Sequence, residues 1–255
     1  MLSTGLVSIT FRKLKTDEII ELVKKAGLQG IEWGGDIHVP NGDSKTAQEV
    51  GDATIKAGLQ VASYGSYYRV GANEDVEKSF KDVLLSAVGL NAPTVRVWAG
   101  NVGSDSADEE IWAKIVEESR FIADMAQEQG ISVSYEYHGN TLTDTTDSAL
   151  RLLQEVNHPN IYTYWQPPID LDFDGRINGL RVAKPWLSHI HAFHWVNREK
   201  LELAKGENEW RRYLEEISRV PGDRFVMLEF VRDDSPEQFI EDAETLKRLV
   251  DISNS

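Results

Sequence analysis

Eight short runs rich in β-branched and aromatic residues recur along the chain, each followed by a stretch with helical amphipathic spacing. This alternation constrains the fold more than any other feature. A βα unit repeated without interruption builds a parallel sheet, because parallel neighbours need a crossover segment between them. The runs lie near Gly5 to Ile9, Gln29 to Trp33, Gln60 to Tyr64, Thr94 to Trp98, Ser132 to Tyr137, Ile161 to Trp165, His189 to Phe193 and Phe225 to Phe230. Eight such units in 255 residues fit an α/β fold, the parallel eight-stranded (β/α)8 barrel, which reaches this length as one domain. Residues 1–255 are therefore expected to form a single barrel domain.

The junctions between runs agree. Lys25-Ala26-Gly27-Leu28-Gln29 and Lys56-Ala57-Gly58-Leu59-Gln60 nearly repeat, and Gln129-Gly130-Ile131 plays the same part later. Glycine at such points permits the left-handed residue that ends a helix before the next strand. Helix starts are marked by Thr16 before Asp17-Glu18, by Ser44 before Lys45, and by Ser235-Pro236-Glu237, where proline suits the first helical position.

Side chains alternate along a strand, so the apolar residues that pack under the helices assign the intervening positions to the barrel lumen. Val226, Leu228 and Phe230 outward leave Met227 and Glu229 inward, and Val133, Tyr135 and Tyr137 leave Ser134, Glu136 and His138. By the same parity Arg96 and Trp98, His189 and His191, Tyr162, Tyr164 and Gln166, and Glu32 point inward, whereas Trp33 points outward and packs. Lumens of this kind are filled mostly by branched apolar residues. Charged residues from several strands at one end of the lumen predict a polar site at the C-terminal mouth. The alternative is a buried ion-pair network, such as Arg96 with Glu32 or Glu136.

Charge narrows the partners. The 42 acidic residues outnumber the 27 basic ones, for a formal charge of −15, so nucleic acid and anionic membrane surfaces are repelled. Cysteine is absent, which excludes disulfides, thiolate metal sites and cysteine nucleophiles. With no long apolar run and no basic-then-apolar leader, a cytoplasmic location is expected. Homo-oligomerisation stays open.

At these strand ends the chain resembles the xylose isomerase-like sugar phosphate isomerase/epimerase family, whose fold is the TIM barrel and which includes ketose 3-epimerases. The resemblance spans almost the whole chain. Its carriers are Gly30-Ile31-Glu32-Trp33 with Asp36 and His38-Val39-Pro40, Val95-Arg96-Val97 with Gly100, and Glu136-Tyr137-His138-Gly139 with Thr143-Asp144-Thr145. His189-Ile190-His191 and Leu228-Glu229 complete them. The resemblance implies one divalent metal, Mn or Mg first and Co or Zn as alternatives, with no organic cofactor, held by Glu136, Gln166, His191 and Glu229. Such a set of hard oxygens with one imidazole suits those ions. The family usually has Asp where Gln166 stands, and the amide oxygen coordinates without bringing a charge. Ile169 and Phe193-His194 also depart from the family pattern, which points to an unusual substrate.

The resemblance further implies a metal-dependent isomerase or epimerase acting on a sugar, sugar phosphate or polyol through an enediolate. Glu136 and Glu229 would move the carbon-bound proton, since inversion needs a group on each face. Arg96 either grips a substrate oxyanion or serves as a structural pair. Glu32, His38 and His138 are candidates for contacts with the substrate, and Trp98 offers an aromatic face to sugar C–H groups. Two alternatives accompany this reading: a dehydratase or lyase using the same site, and a carbohydrate-binding barrel whose metal site has degenerated through Gln166.

Overall fold

In the computed structural model, which describes residues 1–254, the eight runs become the strands of a closed parallel barrel. They are β1 (Leu2–Val7), β2 (Gly30–Gly34), β3 (Gln60–Arg69), β4 (Thr94–Trp98), β5 (Ser132–Tyr135), β6 (Ile161–Trp165) and β7 (Leu187–Ala192). A short antiparallel hairpin, β8 (His194–Val196) with β9 (Glu199–Leu201), precedes the last barrel strand, β10 (Arg224–Leu228), which pairs with β1. The helices are α1 (Thr16–Ala26), α2 (Ser44–Lys56), α3 (Val76–Leu90), α4 (Glu109–Glu128), α5 (Thr146–Val156), α6 (Phe173–Ala183), α7 (Glu207–Ser218) and α8 (Pro236–Asn254). Among the described residues no helix is long and apolar enough to cross a membrane.

Several boundaries differ from those the sequence suggests. β1 starts at Leu2, which pairs with Arg224, and stops at Val7, its last partner on β2 being Glu32; Ser8–Phe11 then coil into a 3-10 turn. β5 and β10 end before Glu136 and Glu229, yet one more backbone bond holds each glutamate. The Glu136 N–H donates to Val97 O and the Glu229 N–H to Ala192 O, each at 3.0 Å. β3 runs on to Arg69 through a bulge, and the hairpin β8–β9 is a feature that βα alternation does not predict.

Contacts along the chain gather into two compact units. One comprises Met1–Trp33, Ala53–Ala62 and the residues from Trp165 onward. In it Leu6, Ile19, Val23, Ile31, Ile190, Val226, Phe239 and Leu246 are buried, and Trp165, Trp210 and Tyr213 pack edge to face. The Trp33 indole donates to Thr54 Oγ1 on α2 (3.2 Å), which is the outward, helix-facing orientation expected from strand parity. The other unit comprises Gly34–Asp52 and Ser63–Tyr164, with Phe80, Val83, Val95, Val97, Ile122 and Val133 in its core and the Tyr135 hydroxyl bonded to Ser119 of α4.

Helix ends follow local chemistry. Gly27 and Gly58 have φ of 69° and 82°, the left-handed conformation that glycine adopts without steric penalty. Ser235 caps α8 as expected, accepting from the Gln238 N–H. At α1 and α2 the caps lie one residue earlier than Thr16 and Ser44. The Glu18 carboxylate reaches back to the Lys15 N–H (2.8 Å), and Asp43 accepts from Thr46 (3.0 Å).

Gly5 lies between β2 and β10, where a methyl group would sit 2.9 Å from both the Gly30 carbonyl oxygen and Met227 Cγ. The first neighbour is backbone inside a ladder and has little room to retreat. Gly5→Ala is therefore expected to destabilise the protein by about 1–3 kcal/mol, read as a lowered midpoint in urea unfolding. An unchanged midpoint would mean that β1 shifts at no cost.

Candidate active site

His191 of β7 is completely buried and stands among oxygen atoms. Its Nδ1 lies 3.0 Å from the Gln166 amide oxygen and 3.4 Å from a Glu229 carboxylate oxygen, and its Nε2 lies 3.5 Å from Glu32. Burial alone would make this imidazole less basic. The charges of Glu229 and Glu32 outweigh burial and push its pKa up to about 10. His189, two residues earlier, has the opposite fate. Burial pushes its pKa down to about 4, and its Nδ1 accepts from the Phe225 N–H (3.1 Å), the behaviour of a neutral packing residue.

Glu229 follows the last residue of β10, and the chain turns sharply after it. Phe230 takes a left-handed φ of 54° and donates its N–H to Thr10 Oγ1 (3.1 Å). A non-glycine residue in that region carries roughly 1–3 kcal/mol of strain, a cost that clusters at functional sites.

Glu136 is built into a second group. Its Oε2 accepts from the Arg96 guanidinium and from the Trp98 indole N–H, both on β4. Its backbone carbonyl accepts from Thr143 Oγ1 (2.6 Å), and Thr141 Oγ1 donates to the His138 carbonyl (2.7 Å). The Thr141 and Thr143 hydroxyls thereby fix the loop that carries Glu136 and His138. The His138 ring stacks on Trp98 with centroids 4.5 Å apart, and Tyr67 meets the same indole edge-on at 5.1 Å. Arg96 is almost wholly buried, and its guanidinium lies 5.3 Å from the Tyr67 ring. His38 is buried in the turn after β2, where its N–H donates to Gly34 O (3.1 Å).

Glu136, His191 and Glu229 each present a ligand atom, and these atoms lie within 4.8 Å of one another. Two carboxylates and an imidazole, with the Gln166 amide oxygen at 3.0 Å from that imidazole, are a donor set that fits a divalent cation. The group could hold a metal. Glu32 at the far nitrogen of His191 is where a ligating histidine ordinarily finds the partner that orients its ring.

A profile described as a xylose isomerase-like TIM barrel matches residues 20–249. The chain belongs to this family. A 3-dehydroshikimate dehydratase of Bacillus anthracis is 27% identical over 220 residues, covering 80% of this chain and 76% of the relative. A crystal structure of the "probable 3-DHS dehydratase" of petrobactin synthesis from Bacillus anthracis superposes with a TM-score of 0.81 at 21% identity, covering 96% of this chain and 98% of that one. D-psicose 3-epimerase from Clostridium cellulolyticum H10, solved with D-tagatose, superposes with a TM-score of 0.66 at 17% identity over 98% and 96% of the two chains. The proteins this chain is similar to thus include a dehydratase as well as an epimerase.

Strand parity assigned Glu32, Arg96, Trp98, Glu136, Gln166, His191 and Glu229 to the lumen side from the sequence. It did not single out Tyr67, Arg69, Thr141 or Thr143. Thr143 entered only among the carriers of the family resemblance, and the role of both threonines emerges from the bonds they make to backbone carbonyls.

Proposed function

We propose that this barrel is a dehydratase: it takes a proton from the carbon beside a carbonyl of a small polyhydroxy compound and expels a β-hydroxyl. The observation that carries this reading is the unequal bonding of the two glutamates. One oxygen of Glu136 already accepts from a guanidinium and an indole, which ties that carboxylate to β4, whereas Glu229 meets the His191 ring. Epimerisation asks two carboxylates to exchange roles, and elimination asks only one. The similarity to a dehydratase over 80% of the chain supports the same choice.

In this mechanism Glu229 removes the α-proton as the carbonyl carbon's neighbour gathers negative charge. The C–O bond at the β-carbon then breaks, and the proton held on Glu229 passes to the departing hydroxide. The substrate loses one water and gains a carbon–carbon double bond conjugated with its carbonyl. Arg96 and Trp98 hold Glu136 in one orientation, and Glu32 does the same for the His191 ring. A divalent cation held by Glu136, Gln166, His191 and Glu229 supplies, when bound, positive charge against the electron density that builds on the carbonyl oxygen.

The isomerase or epimerase reading retains one support, the presence of Glu136 and Glu229 in one ligand group. A single experiment separates the two. The protein is incubated with magnesium or manganese and 3-dehydroshikimate, and formation of the aromatic product is followed by absorbance. In parallel, ketohexoses are incubated in heavy water. Aromatic product without deuterium exchange in the ketohexoses is the expected result. Deuterium entering a carbon-bound position of a ketohexose, with no water lost from either substrate, would replace this proposal with the epimerase.

A further inference from the structure

Arg69 stands at the end of β3, half-buried, with its guanidinium 4.0 Å above the Trp98 ring. Among the described residues its side chain has one hydrogen bond, from Nη1 to the Gly100 carbonyl at 3.3 Å, and no carboxylate pairs with it. Arg96, Arg151, Arg176 and Arg232 are ion-paired, and Arg120 and Arg224, which bond to backbone carbonyls instead, each have two or more such acceptors. A chain with a formal charge of −15 has no shortage of carboxylates, so an unpaired cation one indole away from Glu136 needs a reason.

The backbone is bent to put it there. β3 advances from Gly65 to Arg69 while β4 advances only from Arg96 to Trp98, and the extra chain is taken up where Tyr67 adopts a left-handed φ of 59°. Bulges of this kind re-aim side chains beside active sites. Tyr68 turns the other way, its hydroxyl donating to Glu118 on α4 (2.8 Å), while Tyr67 and Arg69 both meet Trp98. The result is a shelf of Tyr67, Trp98 and His138 beside two guanidiniums, of which Arg96 is neutralised by Glu136 and Arg69 is not.

We propose that Arg69 receives a carboxylate of the substrate, so that the compound processed is an acidic polyhydroxy ketone rather than a neutral sugar. This rests on the reading of the barrel as an enzyme of small polyhydroxy carbonyl compounds. A guanidinium presents a planar fork of donors that matches a carboxylate, and one unpaired guanidinium matches its single charge. A phosphate ester, with up to two charges and three acceptor oxygens, would call for more cations than this shelf offers.

The test is calorimetric titration of the full chain, with magnesium present, against 3,4-dihydroxybenzoate and its neutral amide, 3,4-dihydroxybenzamide. The two probes share ring and hydroxyls and differ in the charge. Wild type is expected to prefer the acid, and Arg69→Gln to weaken acid binding roughly ten- to a hundred-fold while leaving the amide unchanged. Arg69→Lys should keep part of the preference. A merely structural stack on Trp98 predicts equal loss for both probes, which would overturn the proposal. So would failure of wild type to bind the acid at millimolar concentration, or displacement of the acid by inorganic phosphate at lower concentration than the acid itself requires. The dehydratase reading stands or falls separately. Preference for the acid without turnover of 3-dehydroshikimate sinks that reading alone, and turnover unaffected by Arg69→Gln sinks this one alone.

Discussion

Glu229→Gln is expected to lower kcat by roughly 10²–10⁴-fold while the protein still folds. The substitution keeps the size and planarity of the side chain and removes only the ability to hold a proton and a charge. The backbone bond from residue 229 to Ala192 O does not depend on the side chain, so the end of β10 should stay in place. Turnover of whichever substrate wild type accepts would be measured beside a circular dichroism spectrum. A folded variant with unchanged kcat would remove Glu229 from the chemistry and return the role of base to Glu136. The variant also reports on His191. With one of its two carboxylate neighbours gone, the imidazole should lose part of the upward displacement of its pKa, and its proton resonances would titrate at lower pH than in wild type.

Much of this site could be read from strand parity, because in a barrel the lumen side of each strand is fixed by which residues meet the helices. Val95 and Val97 are fully buried, and between and after them Arg96 and Trp98 turn to Glu136, as alternation requires. Parity fails where the ladder fails. The third run was expected to end at Tyr64, and the bulge beyond Gly65 hid Tyr67 and Arg69, since an inserted backbone kink leaves no trace in hydrophobic spacing. Parity is equally blind to chemistry within one face. His189 and His191 share an orientation, yet only the second has two carboxylates beside it, and their protonation is opposite. The hairpin β8–β9 was missed because its strands are three residues long, too short for a period to register.

Metal uptake should be steeply pH-dependent, with affinity rising roughly tenfold per pH unit, or about 10³-fold from pH 6 to pH 9, before flattening above pH 10. The sign follows from His191. A histidine ligates a cation only as the neutral imidazole, and with a pKa of about 10 this one carries a proton throughout that range, so each metal bound must displace it. Without metal the dependence is reversed. A folded-state pKa raised from 6.5 to about 10 stabilises the protein fully below pH 6.5, and that contribution is lost as pH rises through 10. The stabilisation gained on adding magnesium or manganese, measured as a shift in melting temperature, should therefore be small at pH 6 and large at pH 9. Gln166→Asp sharpens the test. A carboxylate at that position, 3.0 Å from Nδ1 in the present amide, adds a charged ligand but also holds the competing proton more tightly. Because His191 keeps its proton from pH 6 to pH 9 in both proteins, the gain in metal affinity should be alike at those two pH values and should grow only above pH 10, where the wild-type imidazole loses its proton first. A gain that stays constant through pH 11 would show that the carboxylate does not tighten the proton on His191.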